Sequence, residues 1–182
     1  SEDPRPQTRD DLKSFVDSYE IVAGRREAVF DDGEYKETFR RTAGTRRGSW
    51  AAKSLPTEGS TGDSTDGPDG ASNTDEESLV NCIALMRSSR MVVRYLKVGR
   101  SRDADVPIEG VFVADPEIEQ ILRMSEPAEH SRWDERSHRL TEAEQGLVQS
   151  VLRGIRQRVQ NWQARLRRSA EDAGGRIAPL ER

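Results

Sequence analysis

Cysteine is nearly absent. Cys82 is the single one in 182 residues, and it sits inside an apolar run. No internal disulfide can form, thiol-built metal clusters are excluded, and a reducing cytoplasm is the expected location. Long apolar runs are missing too. No stretch approaches the roughly 20 residues that span a bilayer, and no apolar signal-peptide core is found, so no membrane partner is expected. Hydrophobic residues make up only 33% of the chain, against 34% charged. A core of that composition is thin, and part of the chain must stay unpacked or pack against something else. There is no P-loop, no glycine-rich dinucleotide fingerprint and no Ser/His/Asp arrangement to build on. No cofactor, catalytic residue or metal ligand is assigned on this basis. The chain begins at Ser1 without a Met and ends on Arg182, which reads as a processed protein or a segment of a longer one.

The strongest pattern present lies between Thr141 and Ala170. Val148, Leu152, Ile155, Val159, Trp162 and Leu166 recur at steps of four and three, an apolar stripe at helical spacing. Thr141-Glu142-Ala143-Glu144 has the form of a capping box, acids lead the segment, and Arg165, Arg167 and Arg168 close it, as the helix dipole prefers. One long helix over 141–170 follows. Leu147 and Val151 broaden the stripe, which suits packing on a sheet better than a two-helix seam, although a homodimer through this helix is the alternative.

Net charge is −4, but unevenly placed. Residues 57 to 77 hold seven acids and no base, while residues 40 to 53 hold five bases and no acid. The acidic balance thus belongs to a Gly/Ser/Thr/Asp-rich stretch, 56–77, that cannot repay the entropy of ordering and is expected to be a disordered linker. Before it, Thr8 caps an expected helix over Arg9–Tyr19, with Leu12, Phe15, Val16 and Tyr19 on one face. Asp31-Asp32-Gly33 then joins two extended runs, 27–30 and 34–40, as a hairpin turn would. From Thr42 the apolar pattern stops, with Trp50 and Leu55 as the only large apolar residues before Leu79.

After the linker, a helix and a buried strand both fit residues 79–86. The spacing of Leu79, Cys82, Ile83 and Met86, with Glu76 and Glu77 ahead, favours the helix. Strands are expected at 91–98 and 106–113, as an antiparallel pair, with a bulge at Gly110. Asp115-Pro116 opens a short helix whose inner face is Ile118, Ile121, Leu122 and Ser125 or Met124, and Pro127 ends it. The expected organisation has three parts: an N-terminal helix and β-hairpin segment over 1–55, the linker over 56–77, and an α+β domain over 78–182. The fold class is α+β, a small and mostly antiparallel sheet packed against one long C-terminal helix.

Two groups of residues could carry function. His130 and His138 lie among Glu126, Glu129, Asp134 and Glu135, the one cluster suited to acid/base work, though its spacing matches no compact metal motif. The bland reading is a loop that caps the preceding helix and is anchored by Trp133. The arginines are the second group. Arg46 and Arg47 lie beside Trp50, and Arg153, Arg156, Arg165, Arg167 and Arg168 lie on the long helix, where six bases face two acids. They are candidates for DNA phosphate contact, weighed against a solvated helix flank that lays its stems on the core rim.

Two stretches resemble a known group. Asn81-Cys82-Ile83-Ala84-Leu85-Met86-Arg87-Ser88-Ser89-Arg90-Met91-Val92-Val93-Arg94-Tyr95 is one. The other runs from Gly110-Val111-Phe112 to Ser125-Glu126-Pro127-Ala128-Glu129-His130-Ser131-Arg132-Trp133. Their wording, Arg-Met-Val-Val-Arg-Tyr and Glu-Pro-x-x-His-x-x-Trp, resembles a C-terminal region of large bacterial proteins from DNA-modification and phage-defence loci. Some of those carry an Hsp90-like ATPase fold of the gyrase, histidine kinase and MORC type ahead of that region. The resemblance spans residues 78 to 166 and includes no catalytic motif. The chain has no Asn-bearing ATP-binding helix and no Asp-x-Gly-x-Gly lid, so any nucleotide site of such a parent would lie elsewhere. The resemblance implies a non-catalytic interaction module of a larger DNA-handling or defence assembly, with a protein partner or the remaining domains of a longer chain, and DNA, as its contacts. A small hydrolase built on His130 and neighbouring carboxylates is the alternative from a different class.

Overall fold

A computed structural model of the chain describes residues 12–29, 33–40, 46–55, 79–98 and 106–174. The elements are α1 (Lys13–Val22), β1 (Glu34–Arg40), β2 (Arg46–Ser54), β3 (Cys82–Met86), β4 (Val92–Lys97), β5 (Ile108–Ala114), α2 (Pro116–Ser125) and α3 (Glu142–Gly174). The expected linker and the Thr8 cap lie outside the described residues. The five strands form one sheet in the order β1-β2-β5-β3-β4. Every pairing is antiparallel except β3 with β5. The α+β class, the mostly antiparallel sheet and the long C-terminal helix are as expected.

Alternation of side chains gives the sheet two apolar faces. Trp50, Ile83, Leu85, Ile108 and Phe112 share one core with Ile118 and Leu122 of α2 and with Val148, Ile155, Val159 and Trp162 of α3. On the opposite face Cys82, Ala84, Met86 and Val111 pack with Phe15 of α1. The sheet is therefore the middle of three layers. The stripe of α3 faces the sheet, and each large side chain buried there contributes roughly 1.5–3 kcal/mol. Tyr35, Trp50 and Trp162 cluster over the outer end of this core, with ring centroids 5.1, 5.6 and 6.0 Å apart. No helix among the described residues is long and apolar enough to cross a membrane.

The two caps expected within the described residues form. Asp115 accepts from the Glu117 amide at 3.1 Å at the start of α2. The Thr141 amide donates to Glu144 Oε2 at 2.8 Å while the Glu144 amide donates to Thr141 Oγ1 at 3.4 Å. The Thr141 amide, and the Thr141 hydroxyl that donates to the same Oε2 at 2.8 Å, hold the Glu144 carboxyl below its usual range. At the start of β1, Arg26 does the same for Glu34, donating at 2.7 and 2.8 Å.

Four local expectations change. First, β1 pairs with β2, and residues 27–29 form no strand, touching β1 through the Glu34 amide on Val29 O at 3.2 Å, while Phe30 lies outside the described residues. Gly33 takes the positive φ of 71° that the Asp-Gly turn requires, but its carbonyl accepts from the Ser54 amide at 2.9 Å. Strand β2 escapes a periodicity search because Ala51 and Ala52 are both fully buried, one under each layer. Second, residues 82–86 are a strand. All five are buried, and a short run buried on both faces loses the alternation that would mark it. Third, β4 and β5 are not neighbours, since β3 lies between them. Asn81 makes this order possible. It sits at a φ of 59°, donates its amide to Ile108 O at 2.8 Å, and accepts from Val98 N at 2.9 Å and, through Oδ1, from Ile108 N at 3.2 Å. Gln163 of α3 donates to the same Oδ1 at 3.3 Å. Hairpin strand β4 thereby serves as the crossover that a parallel pair needs. Gly110 marks no bulge; a β-carbon there would come 2.5 Å from Ala51 O, so the glycine lets β2 and β5 approach. Fourth, α1 starts at Lys13 with Leu12 as an N-cap that has no side-chain bond, and Val16 points outward at 44% exposure.

Two glycines inside α3 separate helix propensity from packing. A β-carbon at Gly146 would meet nothing within 4 Å, whereas one at Gly154 would run into the ring of Phe39. That ring is buried and capped by the Arg158 guanidinium at 3.9 Å. Gly146→Ala is expected to stabilise the fold by about 0.5–1 kcal/mol. Gly154→Ala is expected to destabilise it despite the same helix gain. Urea unfolding of the two variants beside the wild type checks the opposite signs; equal gains would mean that Phe39 does not pack on that turn.

Candidate functional site

Helix α2 ends where Pro127 forbids its continuation, and Glu126 leaves the helix in extended geometry. The next turn folds back. The His130 amide donates to Pro127 O at 3.0 Å, and His130 takes a φ of 52°. This places the imidazole over the carboxylate that precedes it by four residues, with Nδ1 2.8 Å from Glu126 Oε2. Three residues on, Trp133 turns into the core. Its indole Nε1 donates to Glu126 Oε1 at 3.2 Å, and its ring meets Phe112 edge-on at 6.1 Å. Arg87, just past β3, supplies the remaining donors. Its Nε bonds Glu126 Oε1 at 2.7 Å and its Nη2 bonds Oε2.

Glu126 is 1% exposed. A carboxylate removed from water is tolerated only when paired and fully hydrogen-bonded. Here each oxygen accepts twice: Oε1 from Arg87 and Trp133, Oε2 from Arg87 and His130. A carboxylate can only accept, so Nδ1 of His130 carries the proton of that bond and Nε2 is the ring position left over. Arg87 Nη1 is likewise left over, since Nε and Nη2 are both turned to Glu126.

Above this cluster lies a cleft of about 740 Å³ lined by Arg87, Pro116, Glu119, Gln120, Arg123, Met124, His130 and Arg139. Glu119 ties α2 to the β3–β4 turn by accepting from the Ser88 amide at 2.9 Å. Of the polar loop singled out from the sequence, only Glu126 and His130 come together. His138 is exposed and outside the cleft, Asp134 caps the Arg136 amide at 2.9 Å, and Glu129 accepts from Ser131 at 3.4 Å. Among the described residues no three His, Cys, Asp or Glu side chains converge as metal ligands would.

The arginines named from the sequence separate into two sets. Arg47 is buried, donates to Ser150 Oγ and lies 5.5 Å from the Phe39 ring centre, so it faces inward. Arg46 is half exposed and pairs with Asp115 at 3.3 Å. Arg165 lies on Tyr35, with its Nη2 3.3 Å from the phenol oxygen. Arg153, Arg156, Arg167 and Arg168 are exposed, the last donating to Ala164 O at 3.1 Å. Arg158, between these positions, is drawn to Glu37 at 3.1 Å. Sequence reasoning did not reach Arg87, Arg123 or Arg139. Arg87 is 39 positions from the carboxylate it holds, and no local pattern announces that pairing.

Removing Arg87 leaves a buried charge without its main partner. Arg87→Met is expected to cost about 3–5 kcal/mol in urea unfolding. Adding Glu126→Gln in the same chain should recover a large part of that loss, because the uncompensated charge is then gone. A double-mutant cycle with no coupling between the two positions would contradict the buried pair.

Compared with family models, with curated proteins and with solved structures, the chain matches none.

Proposed function

We propose that this chain is a non-catalytic interaction module of a larger bacterial DNA-handling or phage-defence assembly, and that it meets DNA phosphates through the outer face of α3. The observation that carries this reading is the charge of that helix. Between Gln145 and Ala170 it bears six arginines and no acid, and its apolar side is committed to the sheet. At 3.6 residues per turn, Arg153, Arg156 and Arg167 fall within about 60° of one another on one flank. All three are exposed, and Arg168 stands beside them. Guanidinium groups on a stiff, outward-facing helix suit phosphate contact without base readout. The bacterial setting rests on the resemblance of residues 78–166. The non-catalytic character is supported by Glu126, whose lone pairs are all taken by structural partners.

The test is binding to generic duplex DNA across a salt series. Log affinity should fall linearly with log salt, and the combined reversal R153E/R156E/R167E/R168E should abolish binding. Single reversals should each flatten the slope by about 0.9. Absence of binding at low salt would remove DNA from the proposal.

A second reading has one observation in its favour. His130 Nδ1 lies 2.8 Å from a carboxylate and the ring borders a cleft, the arrangement in which a carboxylate orients a histidine for acid/base work. On that reading the chain is a small hydrolase. Turnover of a phosphate- or carboxylate-ester probe that disappears in His130→Asn would favour it over the module, and equal background rates for both proteins would reject it.

A further inference from the structure

The cleft above Glu126 is a second basic feature, independent of α3. Its nitrogen-bearing side chains come from four places in the chain: the guanidinium groups of Arg87 after β3, Arg123 on α2 and Arg139 ahead of α3, and the His130 ring in the turn. The one acid among its lining residues, Glu119, is already bonded to the Ser88 amide. Glu126 lies beneath, closed on both oxygens. Arg123 and Arg139 are exposed, and among the described residues neither meets a carboxylate within ion-pair distance.

The floor of the cleft is pre-organised and its rim is not. Glu126 fixes the plane of the Arg87 guanidinium and the orientation of the His130 ring, so Nη1 and Nε2 are held outward without further ordering. Three guanidinium groups around one space match a tetrahedral oxyanion, because their donors suit phosphate oxygens and their charge does not depend on pH. Pro116 and Met124 supply an apolar wall. A volume of about 740 Å³ falls inside the roughly 300–1,000 Å³ range of small-molecule pockets. It exceeds what a bare anion needs.

We propose that this cleft binds a small phosphomonoester. Arg123 and Arg139 close on the phosphate from the rim, Arg87 Nη1 holds it from below beside the His130 ring, and the organic body lies against Pro116 and Met124.

The test uses the full chain and three probes in isothermal titration: phenyl phosphate, inorganic phosphate and phenol. Phenyl phosphate should bind, inorganic phosphate should compete with it more weakly, and phenol should not bind. R123A/R139A removes two exposed side chains and leaves the Glu126 cluster whole, so its fold should survive, as an unchanged unfolding midpoint would verify. It should weaken phenyl phosphate at least tenfold while DNA binding by α3 is retained. The α3 reversal should lose DNA and keep phenyl phosphate. Absence of phenyl phosphate binding at millimolar concentration would overturn the proposal. So would wild-type affinity in R123A/R139A, or loss of binding in the α3 reversal alone.

Discussion

Glu126 is the residue on which the arrangement of the C-terminal half depends. A buried carboxylate costs several kcal/mol in lost hydration unless every lone pair finds a donor. Its donors come from the end of β3, from the 127–130 turn and from a tryptophan seated in the core. Each must be in place for the others to be tolerable, so the segment from Glu126 to Asp134 has one conformation available to it. The Asp134 amide closes the far end on Ser125 O at 3.0 Å. His130 at a positive φ would ordinarily cost about 1–3 kcal/mol. It persists because a short bond to the carboxylate on one side and the Pro127 turn on the other leave it no better position.

What could be read from the chain divides along physical lines. Helix α3 declared itself through an apolar period sustained over twenty residues and a capping box, and α2 through Asp115-Pro116. Strand β4 showed β-branched and aromatic residues ended by a glycine. Strands β2 and β3 did not declare themselves, because burial on both faces erases alternation: Ala51, Ala52 and all of Cys82–Met86 are inside. The sheet order was equally hidden. Neighbouring strands in sequence usually pair, and only the left-handed Asn81, stitched to β4, β5 and α3 at once, reveals that β3 separates β4 from β5. In the site, Glu126, His130 and Trp133 lie within eight residues and could be grouped by eye. Arg87 could not, since a charge partner across a sheet has no local signature.

The arginines of α3 show how one residue type takes two roles according to what lies opposite. Arg158 meets Glu37 and covers Phe39, and Arg165 lies over Tyr35. Both extend the core rim outward with their stems and stacked planes. Arg153, Arg156 and Arg167, on the other flank, are exposed. Composition treats all of these alike. The rotation of α3 about its axis, set by Val148, Ile155, Val159 and Trp162 against the sheet, is what separates them.

An ion pair is a poor way merely to hold a loop. Apolar side chains of the same volume would hold it as well or better, because they avoid desolvation. What Arg87, His130 and Glu126 provide that leucines would not is direction. Two donors of the guanidinium and one ring nitrogen are turned down to the carboxylate. One guanidinium nitrogen and one ring nitrogen are thereby held facing the other way, into a cleft rimmed by two further arginines. A loop clamp has no use for polar nitrogens turned away from the carboxylate, whereas a binding site does. The cost of burying Glu126 is best explained by what it aims upward.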